Sequence, residues 1–191
     1  MKEITELNNL LSQYVDQGFF PGVQWQINFN DNIYAGKYGL NNIDTKIEVL
    51  DDSIYRIWSM TKPVVAVAAL KLVEEKKINL DDPITEYLPE FNDLQVMVQE
   101  DGVVEDVEKI NQFPTIKDLF LHTAGFSYNF LADPVGKHYD QLRLFNSDTT
   151  TLAEEIKILA KAPLLFQPQK SWRYSVSMDV LARIIEIVRG D

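Results

Sequence analysis

The chain has 191 residues, 46% of them hydrophobic and 25% charged, proportions of an ordinary globular protein with apolar material for one substantial core or two small ones. Lys and Arg number 18 against 29 Asp and Glu, and the resulting net charge of -11 argues against nucleic acid and anionic lipid surfaces as partners. Cysteine is absent, which excludes disulfides, thiolate catalysis and thiolate-held zinc or iron–sulfur centres, and leaves the redox compartment open.

In chain order, Ile4, Leu7, Leu10, Leu11, Tyr14 and Val15 recur at helical spacing and Gly18 follows, so the spacing predicts an amphipathic helix over 4–17. Acidic residues among these apolar ones are unlike the basic and then apolar pattern of a signal peptide. A cytoplasmic protein is expected, the alternative being a periplasmic or secreted one whose signal has been removed. After Pro21-Gly22 the period becomes two: Val23, Trp25, Ile27 and Phe29 alternate with polar neighbours. Asp31-Asn32 turns the chain, and Ile33 to Tyr38 returns as the second arm of a hairpin.

A polar stretch over 41–53 leads to Ile54-Tyr55-Arg56-Ile57-Trp58, Ser59 and a helix over 60–76, with Pro63 tolerated in its first turn. Apolar residues cover nearly every face of this helix, which predicts a buried central element. Its most apolar run, Pro63 to Leu70, falls far short of the ~20 residues that cross a bilayer, so membrane insertion is not expected. A helical turn between Asp81-Asp82-Pro83 and Leu88-Pro89 follows, then a small hairpin over 96–107 around Asp101-Gly102. Helices are expected over 115–122, 149–162 and 177–188, with an irregular aromatic-rich stretch over 123–148. There is no internal repeat. The fold class is α+β, divided into residues 1–59 (helix and hairpin of a sheet) and 60–191 (mostly helical).

Among the serines only Ser59 has a lysine three positions on, Ser59-Met60-Thr61-Lys62, and i and i+3 share a helix face. A hydroxyl is a poor nucleophile until a neighbour takes its proton. An ammonium can do so once desolvation or nearby positive potential lowers its pKa, and an apolar helix with its N-terminal dipole supplies both. The Ser59 N–H at the same helix entrance suits half of an oxyanion hole. S-x-x-K nonetheless arises by chance on the order of once in a chain of this length, so a capping serine with a snorkelling lysine remains the alternative. A second feature is Trp172-Arg173-Tyr174-Ser175-Val176, ahead of the final helix, whose phenol becomes a useful base only beside a cation such as Lys62. His122 and His138 have no metal-ligand spacing, so no metal or other cofactor is expected, and His122-Thr123-Ala124-Gly125 reads as a structural turn. G-x-S-x-G is missing.

Taken together, Ile57-Trp58-Ser59-Met60-Thr61-Lys62-Pro63, Ile78-Asn79-Leu80-Asp81-Asp82-Pro83-Ile84, Leu121-His122-Thr123-Ala124-Gly125 and Trp172-Arg173-Tyr174-Ser175 occur in an order that resembles the serine β-lactamase and penicillin-binding superfamily. The resemblance is strongest to the class C branch with its family VIII carboxylesterases, and covers nearly the whole chain. It implies that Ser59 is acylated, that Lys62 accepts its proton, and that Tyr174 passes a proton to the leaving group and later activates water. Val176, Trp58 and Phe126 are the implied substrate contacts. The lactamase branch carries asparagine at the position of Val176, and a valine cannot make its hydrogen bond. An esterase or transacylase acting on a small ester therefore leads over a β-lactamase or D-alanyl peptidase acting on a β-lactam-like substrate. A catalytically inactive binding domain is the alternative from another class. The family's fold returns to its sheet with further strands and a third motif that this sequence lacks, so the resemblance also implies an exposed sheet edge open to self-association or pairing with a C-terminal half.

Overall fold

In the computed structural model, which describes residues 2–146 and 149–190, the chain divides after Ile57 into two compact units, 1–57 and 58–191. The break lies two residues before the expected one, placing Trp58 and Ser59 with the helical unit.

The first unit opens with α1 (Lys2–Asp16), followed by β1 (Gly22–Phe29), β2 (Asn32–Asn42) and β3 (Ile47–Glu48), which form an antiparallel sheet in the order β1-β2-β3. The β1–β2 hairpin turns one residue earlier than expected, because Asn30 and Asp31 both adopt left-handed backbone (φ 47° and 60°) and Phe29 pairs with Asn32. Positive φ at both central residues is the two-residue turn whose twist matches the strands, and Asn and Asp tolerate it best. Trp25 Nε1 donates to Asn8 Oδ1 at 3.1 Å and Tyr38 Oη to Asp16 Oδ1 at 3.0 Å, fixing α1 to the sheet. Val49 is deeply buried, whereas Phe29, Ile33 and Ile43 stay largely exposed.

The second unit contains α2 (Thr61–Glu74), β4 (Gln95–Met97), β5 (Val107–Lys109), α3 (Ile116–Leu121), α4 (Pro134–Gln141), α5 (Leu152–Leu159) and α6 (Ser177–Arg189). Its core gathers Ala69 and Leu72 of α2, Ile116 and Leu119 of α3, Ile156 and Leu159 of α5, and Val180, Leu181 and Ile184 of α6. The hub is α6, which packs against α2, α3 and α5 because its apolar positions recur at helical spacing. Contrary to expectation, α2 is not buried all round: Val64, Val67 and Leu70, which share one face, are exposed, while the opposite side meets the core.

Helix α4 falls where an irregular stretch was expected. Asp133 caps it by accepting from Gly136 N at 2.8 Å and Pro134 occupies its first turn, start signals that the aromatic density around them obscured. Thr115 and Thr151 cap α3 and α5 with reciprocal capping boxes. Among the described residues, no helix is long and apolar enough to cross a membrane.

Candidate active site

Ser59 lies in a single 3-10 turn, Trp58–Met60, that feeds directly into α2. Trp58 immediately before it holds left-handed backbone (φ 46°), uncommon for a bulky residue. Lys62 follows one turn later, and its Nζ donates to Ser59 Oγ at 3.4 Å, a long bond that keeps the ammonium beside the hydroxyl.

Tyr174 comes from the segment ahead of α6. Its Oη stands 2.8 Å from Ser59 Oγ, either oxygen being able to donate. Lys62 Nζ lies 5.0 Å from the centre of the Tyr174 ring and 5.3 Å from that of Tyr128. Tyr128 Oη donates to Asp179 Oδ2 at 3.3 Å. These groups line one cleft of about 440 Å³, with Trp58 at its exposed rim.

Burial alone pulls the Lys62 pKa down, but hydrogen bonds with Tyr174 and Tyr128 outweigh it, and the net displacement is above the ordinary lysine value. The lowering expected from the apolar helix is present as burial, but α2 exposes one face, and two phenols gather round the ammonium and oppose it. Tyr174 moves the other way. Burial raises its pKa, but hydrogen bonds to Lys62 and Ser59 and the lysine charge bring it below the ordinary phenol value. The two displacements describe one interaction, an ammonium that favours a phenolate. Burial lifts Tyr128 to about 12, so it stays protonated as a donor. Burial also raises the Asp179 carboxyl, against the opposing pull of the Lys62 charge and the Tyr128 hydrogen bond.

Two of the implied substrate contacts are not in the cleft. Phe126 is 1% exposed and packs edge-to-face on Phe91 with ring centres 5.8 Å apart. Val176 is wholly buried, its N–H bonded to the Ser127 carbonyl at 3.1 Å as α6 begins. Both are core residues, because the segments carrying them are laced together by backbone hydrogen bonds that turn these side chains inward. Tyr128 and Asp179, which the sequence reading missed, are at the site instead. No short spacing marks them; only the packing of α6 brings Asp179 near Lys62. Among the described residues, no group of three or more side chains is suited to hold a metal ion.

The family model for Beta-lactamase matches residues 7–191. The chain belongs to the beta-lactamase family. Within this family it is 34% identical over 161 residues to Esterase EstB of Burkholderia gladioli, covering 83% of this chain and 38% of that protein. It is 30% identical over 169 residues to Lovastatin esterase of Penicillium rubens, covering 86% of this chain and 41% of that one. The solved structure of EstCE1, a hydrolase with promiscuous acyltransferase activity, superposes with a TM-score of 0.79 at 27% identity, over 100% of this chain and 48% of that one. The chain thus spans about two-fifths of the length of these curated relatives and about half of the solved one. The α+β arrangement is accordingly part of the β-lactamase and transpeptidase-like fold.

Proposed function

We propose that this chain carries the nucleophile and proton-transfer groups of a serine esterase or acyltransferase acting on small esters through an acyl-Ser59 intermediate. The observation that carries the reading is the 2.8 Å approach of Tyr174 Oη to Ser59 Oγ, with the Lys62 ammonium beside both. Tyr174 as phenolate takes the Ser59 proton while Lys62 remains charged and holds the phenolate in place. Ser59 Oγ then attacks the ester carbonyl carbon, and the oxyanion forms near the Ser59 N–H. Collapse breaks the bond to the alcohol, which leaves with the proton held on Tyr174, giving acyl-Ser59. Water, or a second alcohol, then surrenders a proton to the Tyr174 phenolate and attacks the acyl group, releasing acid or a new ester and restoring Ser59.

The esterase and acyltransferase names of the relatives support this choice of substrate over a β-lactam. So does Val176, which is withdrawn into the core and offers substrate no hydrogen bond. The test exposes the chain in parallel to a fluorophosphonate and a labelled penicillin, reading intact mass for wild type, Ser59→Ala and Tyr174→Phe. A fluorophosphonate adduct lost in Ser59→Ala supports the reading. A penicillin adduct without a fluorophosphonate one moves it to β-lactam recognition, and no adduct at all favours a binding domain.

A further inference from the structure

The His122-Thr123-Ala124-Gly125 segment takes no direct part in the chemistry above, yet it closes on the segment that carries Tyr174. His122 ends α3 in left-handed backbone (φ 56°, ψ 35°). From there its carbonyl accepts from Arg173 N at 3.0 Å, and its ring nitrogen Nδ1 accepts from Ser175 N at 3.2 Å. Both chain neighbours of Tyr174 are therefore tied to one residue. The His122 ring also lies against the Tyr174 ring, with centres 5.1 Å apart and planes at 41°. Behind it, Gly125 (φ 95°) lets the chain pass where a Cβ would stand 2.4 Å from the Phe166 carbonyl oxygen.

We propose that His122, in its neutral form, is a positioning residue that holds Tyr174 on Ser59 by gripping the backbone on both sides of it. The inference rests on the proposed function, since it assigns the residue that aims that reaction's base. A backbone N–H can only donate, so Nδ1 must be the lone-pair nitrogen and Nε2 must carry the proton. Protonation of Nδ1 would set a donor against the Ser175 N–H. Ser175 Oγ, 3.2 Å from Nδ1 and 2.8 Å from Ser177 Oγ, could then accept from the ring, but the amide would lose its partner.

Burial, and then the Lys62 charge from α2, lower the His122 pKa and favour the neutral ring. Tyr174 faces it from the segment ahead of α6. Arg173, on the same segment, has its guanidinium 3.8 Å from Asp133, and Asp179 of α6 accepts from Tyr128. On its own helix, the Asp118 carboxylate accepts from Thr115, Thr123 and Gln169. The ring is thus neutral at neutral pH and charges only on acidification.

Asparagine tolerates left-handed backbone and places a carbonyl oxygen where Nδ1 stands, without titrating, whereas phenylalanine keeps an aromatic ring but no acceptor. The experiment compares wild type, His122→Phe and His122→Asn by fluorophosphonate labelling rate against pH and by amide hydrogen exchange at Ser175. The expected result is that His122→Phe loses Ser175 protection and labels about 10²-fold more slowly at saturating probe, the order for an ångström-scale misplacement of a catalytic group. His122→Asn recovers most of both, and as pH drops below the ordinary histidine range it shows only the fall that Tyr174 protonation produces, without the additional, steeper fall of wild type. The proposal is overturned if His122→Phe leaves either readout unchanged, or if His122→Asn retains the additional, steeper fall below the histidine range. Should wild type itself fail to label, the proposed function falls, and Ser175 exchange in the two variants still decides whether His122 grips the segment.

Discussion

Tyr174 Oη meets Ser59 Oγ at 2.8 Å across 115 positions of sequence. That contact joins the turn that opens α2 to the segment that opens α6, so the chemistry of the hydroxyl depends on how these two helices pack.

Removing the phenol oxygen tests this contact. Tyr174→Phe keeps the ring against His122 and Tyr128. Fluorophosphonate labelling of Ser59, followed by intact mass, should slow by about 10²- to 10⁴-fold, the range for a lost general base. The thermal midpoint should hardly move.

Lys62→Met removes the cation that depresses the Tyr174 pKa. In wild type the labelling rate should rise with pH through a midpoint below the ordinary phenol value, because the phenolate is the reactive form. In the variant that midpoint should move upward, since burial, which raises the pKa, is then unopposed by the lysine. A pH–rate profile with an unmoved midpoint would show that Tyr174 is not the base.

Asp179 is held above the ordinary carboxyl pKa by burial, so its ionisation is harder in the folded chain than in the unfolded one. Its charge lowers stability as pH rises through the interval between the unfolded and the raised folded values, and has no effect below it. Asp179→Asn keeps an acceptor for Tyr128. It should raise the denaturation midpoint at neutral pH and leave it unchanged in acid, as urea titrations at both pH values can measure.

Asp118 is buried and accepts from Thr115 N and Oγ1, Thr123 Oγ1 and Gln169 Nε2 at 2.7 to 3.1 Å. Asp118→Ala breaks the α3 capping box and strands buried donors, at a cost of about 2 kcal/mol or more in chemical denaturation.

Phe126→Ala opens a cavity beside Phe91 and should cost about 3–5 kcal/mol. A core role predicts loss of stability with no change in the probe concentration that half-saturates labelling of the folded fraction. A substrate-contact role predicts the reverse.

Much of this was legible in the sequence because its signals are local. The apolar period of α6, the alternation of β1 and the Ser59–Lys62 spacing each report one element's own geometry. Helix α4 was readable in the same way, from Asp133 and Pro134, but a dense run of aromatic residues masked it. Val176 and Phe126 illustrate the limit. A residue's place in a motif does not say which way its side chain turns, and backbone bonds such as that from Val176 N to the Ser127 carbonyl decide it.

By itself, then, the sequence determined most of the elements, the acidic character of the chain, and the Ser59–Lys62 pair and Tyr174 as candidate site residues. Only tertiary structure brings together the groups that shift the pKa values of Lys62 and Tyr174. Burial lowers the Lys62 pKa while Tyr174 and Tyr128 raise it, and Lys62 pulls the Tyr174 pKa down while burial and Asp179 pull it up. A pKa depends on every charge and dipole within a few ångströms, and residues far apart in sequence supply most of them here.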